Sequence, residues 1–222
     1  MICSFYFRRK VNDIFTKFLS LKPEKQERII NAAIKEFAKK GYKNATTDEI
    51  VKEANISKGA LFHYFNNKKD LFLFLYDYTL KILMNEFFGK IDLDEKDILK
   101  RLRQVLSIEF ILVNKFPDML DFVKTANFED FDEVRADLEA RNKGYFTDSY
   151  SKILNNFDTC KFKEGTDIER ALNVILWTME GLAAREKEML RIKEISLTEL
   201  DVDEILAEAD IYFEMMKKCF YK

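Results

Sequence analysis

Apolar residues recur at three- and four-residue spacing through most of this chain, and long runs of strict apolar–polar alternation are absent. That is the period of amphipathic helices, not of half-buried strands. Ile30, Ala33, Ile34, Phe37 and Ala38 form one such stripe and predict a helix from about Pro23 to Lys40. Pro23 suits its first turn, Lys39 and Lys40 complement the negative helix end, and Gly41 is the residue expected to stop it. A second long helix is expected after Asn67, with Leu71, Phe74, Leu75, Tyr78, Ile82 and Leu83 as its apolar positions, breaking between Gly89 and Asp94. Further helices are predicted over about 95–115, over a short stretch to Lys124, and over about 128–157 with Phe128, Phe131, Val134, Leu138, Tyr145 and Tyr150 turned inward. A loop at 158–165 precedes two more, at about 167–190 and 201–221. Only six Gly and two Pro interrupt 222 residues, so the expected fold class is all-α.

Residues 46–65 depart from this long-helix pattern and carry candidate chemistry. Thr46 and Glu49 are spaced as a capping box, and Ile50, Val51 and Ala54 are the apolar positions of the short helix it would start. Asn55 tolerates the left-handed backbone that ends a helix, Ile56 fills the turn, and Ser57 can cap the next helix. That next helix has little bulk: Lys58, Gly59 and Ala60 lead it, with Leu61 and Phe65 as anchors. A surface of small residues can approach base edges, while Lys58 can reach guanine acceptors or a phosphate. His63 and Tyr64 near its exit carry N–H and O–H donors suited to phosphate oxygens, and Lys68 would lie at a positive helix N-terminus. The pattern reads as a helix-turn-helix presenting one short helix to DNA.

The last two helices bear on assembly. Ile175, Met179 and Leu182 recur on the first, beside Ile168, Glu186 and Met189, and Trp177 and Gly181 lie on another side. Tyr212 and Met216 belong to the stripe of the second, with Val202, Ile205, Ala209 and Phe220. Two consecutive helices with wide apolar stripes are satisfied by pairing with a second copy as a four-helix bundle. The dimer interface is therefore expected to include Ile175, Met179, Leu182, Tyr212 and Met216.

Composition sharpens the picture. The net charge of −2 hides an asymmetry: residues 1–70 hold 15 basic and 8 acidic side chains, and the remainder holds 22 and 31. A cationic front and an anionic rear orient a protein on a polyanion. Cys3, Cys160 and Cys219 are odd in number and show no metal spacing, which fits a reducing, cytoplasmic setting. Arg8-Arg9-Lys10 ends the apolar start before a signal peptide forms, and no run approaches a membrane span. Residues 1–21 are expected to be an extension with a short amphipathic helix through Val11, Ile14, Phe15, Phe18 and Leu19. Its basic residues are either an arm for a DNA groove or ordinary surface; alternatively, residues 1–10 reflect a start assigned too early, with the true start at Val11.

From Arg28 to Tyr42, through Ala45-Thr46-Thr47 to Tyr64-Phe65, and on to Lys68 and Leu71, the chain resembles the DNA-binding domain of the TetR family of bacterial transcriptional regulators. Asn55 stands where many members carry glycine. The resemblance implies a helix-turn-helix at 46–65 inside a domain of residues 22–75, followed by a larger helical ligand-binding and dimerisation domain at 76–222. It implies phosphate contacts from Thr47, Tyr64 and Lys68, with His63 as a further one, and base-edge contacts from Lys58, Gly59 and Ala60; Thr46 and Ser57 complete the expected DNA-binding set. It also implies a homodimer, double-stranded operator DNA as partner, and a small-molecule effector that alters operator affinity. Residues 90–165 are rich in aromatics, and Phe110, Phe122 and Tyr145 together with Trp177 are the candidate ligand contacts.

An enzyme is not expected. The chain has no Gly-rich phosphate loop, no His pair at ligand spacing and no paired-Cys motif, and its single histidine lies in the presumed DNA reader. No cofactor and no metal are expected. The alternative class, a dimeric helical small-molecule-binding or interaction protein without an operator, leaves the cationic helix-turn-helix unexplained.

Overall fold

A computed structural model describes residues 15–193 and 202–222. The expected basic arm Arg8-Arg9-Lys10, together with Cys3, Val11 and Ile14, lies outside the described residues, as does the side chain of Tyr150. The described residues form α1 (Thr16–Leu19), α2 (Pro23–Asn44), α3 (Thr47–Glu53), α4 (Lys58–Tyr64), α5 (Lys68–Phe88), α6 (Ile98–Lys115), α7 (Pro117–Asn127), α8 (Asp132–Ile153), a 3-10 turn at Thr159–Lys161, α9 (Ile168–Lys193) and α10 (Val202–Phe220). Among them the non-helical pairing is one antiparallel bridge, Phe162 with Tyr221.

These helices divide between two compact units. The first contains the described residues up to 82 together with 118–144. Its core is aromatic: Phe18 lies 4.9 Å from Phe65 and 5.3 Å from Phe74, so the short α1 is bolted to the end of α4 and to α5. Phe37, Tyr42 and Phe72 form a second cluster, with Phe37 and Phe72 5.0 Å apart. The 118–144 segment joins this unit because Phe122 inserts between α2 and α5, 6.2 Å from Phe37 and 5.4 Å from Phe72. Such tilted and edge-on pairs add to the burial of the rings themselves. Tyr76 is buried and its hydroxyl reaches Asn127 at 2.7 Å and Asn142, tying α5 to α7 and α8. The expected inward Phe128 is instead 81% exposed. It precedes α8, which begins four residues later at Asp132, so the helical period that suggested burial does not extend to it.

The second unit comprises 83–117 and the described residues from 145 onward. Ile98, Leu102, Ala171, Ile175, Leu182, Ala209, Phe213 and Met216 form its core, where α6, α9 and α10 meet. Asp97 caps α6 by accepting from the amides of Leu99 and Lys100. The same buried carboxylate accepts from Lys161 Nζ at 2.8 Å and from the Tyr221 hydroxyl at 2.9 Å. Arg101 is fully buried and donates to the carbonyls of Glu95, Ile153 and Asn155. Three carbonyls satisfy a guanidinium that burial would otherwise penalise heavily.

Candidate nucleic-acid interface

The helix-turn-helix is built by local caps. Thr46 Oγ1 accepts from the Glu49 amide at 3.3 Å, so α3 starts where the capping-box spacing put it. The return bond differs from expectation: the Thr46 amide donates to Glu36 of α2 at 3.0 Å. A carboxylate from a packed neighbouring helix replaces the local one and thereby also fixes α3 against α2. Asn55 adopts φ 51°, the left-handed turn residue, and Ser57 Oγ accepts from the Ala60 amide at 3.1 Å to start α4. Asn67 Oδ1 does the same for α5 through the Asp70 amide at 2.7 Å.

Leu61 and Phe65 are buried, and Ser57, Lys58, Gly59, Phe62 and His63 are exposed. One side of α4 is thus core and the other faces solvent. A Cβ added at Gly59 would meet nothing within 4 Å, so the surface there is open to a close-lying partner. Thr46 is exposed, while Thr47, Ala60, Tyr64 and Lys68 are half-buried. All nine expected DNA-binding residues lie on or at the ends of α3, α4 and α5.

Electrostatics refine individual roles. Lys58 pairs with Asp48 at 2.8 Å on an exposed surface; such a pair is worth at most about 1 kcal/mol, so Lys58 is available to a stronger anion. Lys68 Nζ donates to the carbonyls of Tyr42 at 2.8 Å and Ala45 at 3.2 Å, and its cation sits 4.5 Å from the centre of the Tyr42 ring. Its protons therefore clamp the link between α2 and α3, and what it offers a phosphate is charge more than a free donor. Lys25 donates to the Tyr64 hydroxyl at 3.1 Å, which brings an α2 cation to the exit of α4. Burial, reinforced by a hydrogen bond with Glu133, pushes the Tyr42 phenol far above its ordinary range, so it is a neutral packing residue.

Two further residues belong to this surface. Phe62 is 39% exposed on the solvent side of α4; its signal was its place one residue beyond the anchor Leu61. Lys25 lies some forty positions from Tyr64 in sequence, and only the folded arrangement of α2 brings them together.

The candidate ligand contacts are placed differently from expectation. Phe122 has no exposed surface and fills the first unit's core, where it packs against Phe37 and Phe72. Phe110 and Tyr145 are half-buried in the second unit, and Trp177 is 66% exposed. Two grooves open on the first unit. One of about 390 Å³ is lined by Lys35, Lys39, Asp118, Asp121 and Lys124. The other, of about 330 Å³, is lined by Asn127, Phe128, Arg135, Leu138 and Asn142. Neither includes Phe110, Tyr145 or Trp177. Among the described residues no group of His, Cys, Asp and Glu is arranged to hold a metal, and no helix is long and apolar enough to cross a membrane.

The expected interface residues divide between the core and its margin. Ile175, Leu182 and Met216 are buried in the second unit's own core, and Met179 and Tyr212 pack against it. The exposed apolar residues on these helices include Val174 and Trp177 on α9 and Ile211 and Met215 on α10. Both helices carry two apolar stripes, and helical period alone does not say which one the chain itself covers.

Residues 29–75 match the model of the bacterial regulatory proteins of the tetR family. Over 162 residues the chain is 26% identical to the fatty acid metabolism regulator protein of Bacillus subtilis (strain 168), covering 72% of this chain and 81% of that relative. Two further transcriptional regulators of the same organism are matched over 34% and 23% of their own length. Among solved structures, the fatty acid degradation regulator FadR from Bacillus halodurans superposes with a TM-score of 0.61 at 17% identity, over 86% of this chain and 97% of that one. FadR from Bacillus subtilis in complex with stearoyl-CoA superposes with a TM-score of 0.56 at 20% identity, over 86% and 96%. What these structures share with the chain is the fold, an all-helical architecture with an N-terminal helix-turn-helix and a helical C-terminal region.

Proposed function

We propose that this chain, whose residues 29–75 match the model of the bacterial regulatory proteins of the tetR family, is a ligand-responsive repressor of that kind, binding a two-fold operator as a homodimer. The observation that carries the DNA-binding half is the solvent side of α4: Ser57, Lys58 and Gly59 exposed, open space above Gly59, and both helix starts fixed by side-chain caps. Lys58, Gly59 and Ala60 approach base edges. Thr46, Thr47, Ser57, His63, Tyr64 and the charge of Lys68 hold the flanking phosphates, and Phe62 and Lys25 extend the surface. Apolar contact with a thymine methyl suits Phe62.

The exposed apolar side of α9 and α10, with Val174, Trp177, Ile211 and Met215, is the face a second copy covers. A two-fold protein reads a two-fold site with its recognition helices about one DNA turn apart or more. The effector is a small molecule with a large apolar portion and binds the second unit. Since a regulator of the same fold holds stearoyl-CoA and the relative aligned over most of its length is a fatty acid metabolism regulator, a long-chain acyl thioester is the first ligand to try. Helix α5 runs unbroken from Lys68 to Phe88, so a ligand that favours one position of its far end biases the DNA reader; about 1–3 kcal/mol of such coupling changes affinity 5–150-fold.

Selection of binding sequences from a random duplex library, followed by footprinting with and without acyl-CoA, tests this reading. The expected result is an inverted repeat protected by a dimer and released by the ligand. Occupancy of a single unrepeated half-site by a monomer would overturn the dimeric operator; ligand binding that leaves DNA affinity unchanged would reduce the second unit to a dimerisation element.

A further inference from the structure

Helix α2 does not end where its ladder ends. Gly41 takes φ 69° and ψ 176°, and the kink turns the Tyr42 amide out of the helix. That amide donates to Glu129 Oε2 at 2.6 Å. Glu129 lies in the corner between α7 and α8, 87 residues further along the chain. Just before this corner, the Thr125 hydroxyl donates to the Ala38 carbonyl at 3.1 Å. The corner thus grips the last turn of α2 twice, once through a carbonyl and once through an amide. Position 41 favours glycine because its φ is positive, and a Cβ there would press to 3.0 Å on the same Glu129 oxygen, the tip of that side chain.

Beyond the kink, the chain becomes the link to the DNA reader. Tyr42 is buried, and its carbonyl and that of Ala45 are held by Lys68. One residue later the Thr46 amide is taken by Glu36 and α3 begins. Side chains from other elements therefore fix the backbone at Tyr42, Ala45 and Thr46, and of these Glu129 is the one supplied by the 118–144 segment. A charge-assisted bond from a carboxylate to a backbone amide is among the stronger hydrogen bonds, and this one sits where a small rotation moves α3 and α4 together.

We infer that Glu129 is a positioning residue for DNA recognition: its carboxylate latches the Tyr42 amide and holds the α2–α3 link, and with it α4, in the orientation that reads DNA. The inference rests on the DNA-binding reading of α4. It gives the α7–α8 corner a role in the reader that no motif within residues 46–65 announces.

The test compares Glu129→Ala, which removes the acceptor, with Glu129→Gln, which keeps a carbonyl oxygen for the same amide. Two quantities are read on the full chain: hydrogen exchange of the amides from Tyr42 to Tyr64, and affinity for a selected operator duplex. In Glu129→Ala, exchange at Tyr42 and across α3 and α4 is expected to quicken about ten-fold, and operator affinity to fall about ten-fold, the size of a lost charge-assisted bond. Glu129→Gln is expected to stay within about three-fold of wild type on both, and exchange in the second unit to stay unchanged in both variants. Unchanged exchange at Tyr42 in Glu129→Ala would overturn the latch. Faster exchange with unchanged operator affinity would overturn its role in reading DNA. A global rise in exchange across both units, unrelieved in Glu129→Gln, would make Glu129 an ordinary stabilising residue and overturn the inference. If the wild-type chain selects no duplex, the DNA-binding reading fails instead, and the exchange comparison still decides the latch.

Discussion

At Gly59 the demands of folding and of recognition separate. Among the described residues beyond its own turn of helix, none lies within 4 Å of a Cβ at this position, so a larger side chain costs the fold little and a docked partner is what meets it. Gly59→Leu is expected to keep the wild-type unfolding midpoint and to lose specific duplex binding, checked by denaturant titration and gel shift side by side. Gly59→Ala is expected to gain about 0.4–1 kcal/mol through reduced freedom of the unfolded chain. Normal operator affinity in Gly59→Leu would show that α4 does not lie on the bases. Asp48 gives the complementary case. It is exposed and holds Lys58 at 2.8 Å, so it both occupies a DNA-facing cation and repels phosphate. Asp48→Asn is expected to raise affinity for every duplex several-fold and to steepen the salt dependence, because one more cation then exchanges counterions. An unchanged salt slope would mean that the Lys58 cation lies too far from the duplex to displace counterions.

At the scale of the element, several helix starts are small electrostatic devices, and Asp97 is the most loaded. Burial alone would raise its pKa. The bonds from Lys161, Tyr221 and the Lys100 amide outweigh burial and hold the carboxyl below its ordinary range. Burial and the neighbouring Asp97 push the Tyr221 phenol well up, so it stays a donor throughout the working pH range. A carboxylate with a depressed folded pKa contributes stability above its unfolded pKa and loses that contribution as pH falls through the folded one. Asp97→Asn is therefore expected to cost about 2 kcal/mol near neutral pH, with the gap to wild type closing as pH falls below about 4. Urea midpoints measured from pH 7 to pH 3 check the sign; a gap that widens in acid would contradict it.

At the scale of the whole molecule the question is what covers the exposed apolar side of α9 and α10. Trp177 is 66% and Met215 57% exposed, an arrangement that singly scattered surface residues do not require. The double variant Trp177→Glu with Met215→Lys is expected to sediment as a folded monomer and to lose cooperative operator binding. Met179→Glu with Met216→Lys, by contrast, is expected to unfold or aggregate, since Met216 is buried in the second unit's core and Met179 packs against it. A folded dimer in the first variant would move the interface elsewhere.

The range of the forces involved decides how much of the fold and of the DNA reader is legible in the sequence. Caps, turns and helical period act within a few residues, so Thr46, Asn55, Ser57 and the all-helical class can be read from the sequence alone. The same holds for the excess of cations in residues 1–70, since charge along a segment needs no fold to be counted. Beyond that reach lie the pairings between distant segments. Helical period marks two apolar stripes on α9 but does not say that Ile175 and Leu182 meet the core with α6 and α10 while Trp177 meets solvent. Aromatic richness suggests a pocket around Phe122, whereas its ring closes the core between α2 and α5. Glu36 answering Thr46, Lys25 reaching Tyr64 and Glu129 reaching Tyr42 join positions 10, 39 and 87 residues apart. Local spacing carries no trace of such contacts, because they exist only once burial of the apolar faces has brought the helices together.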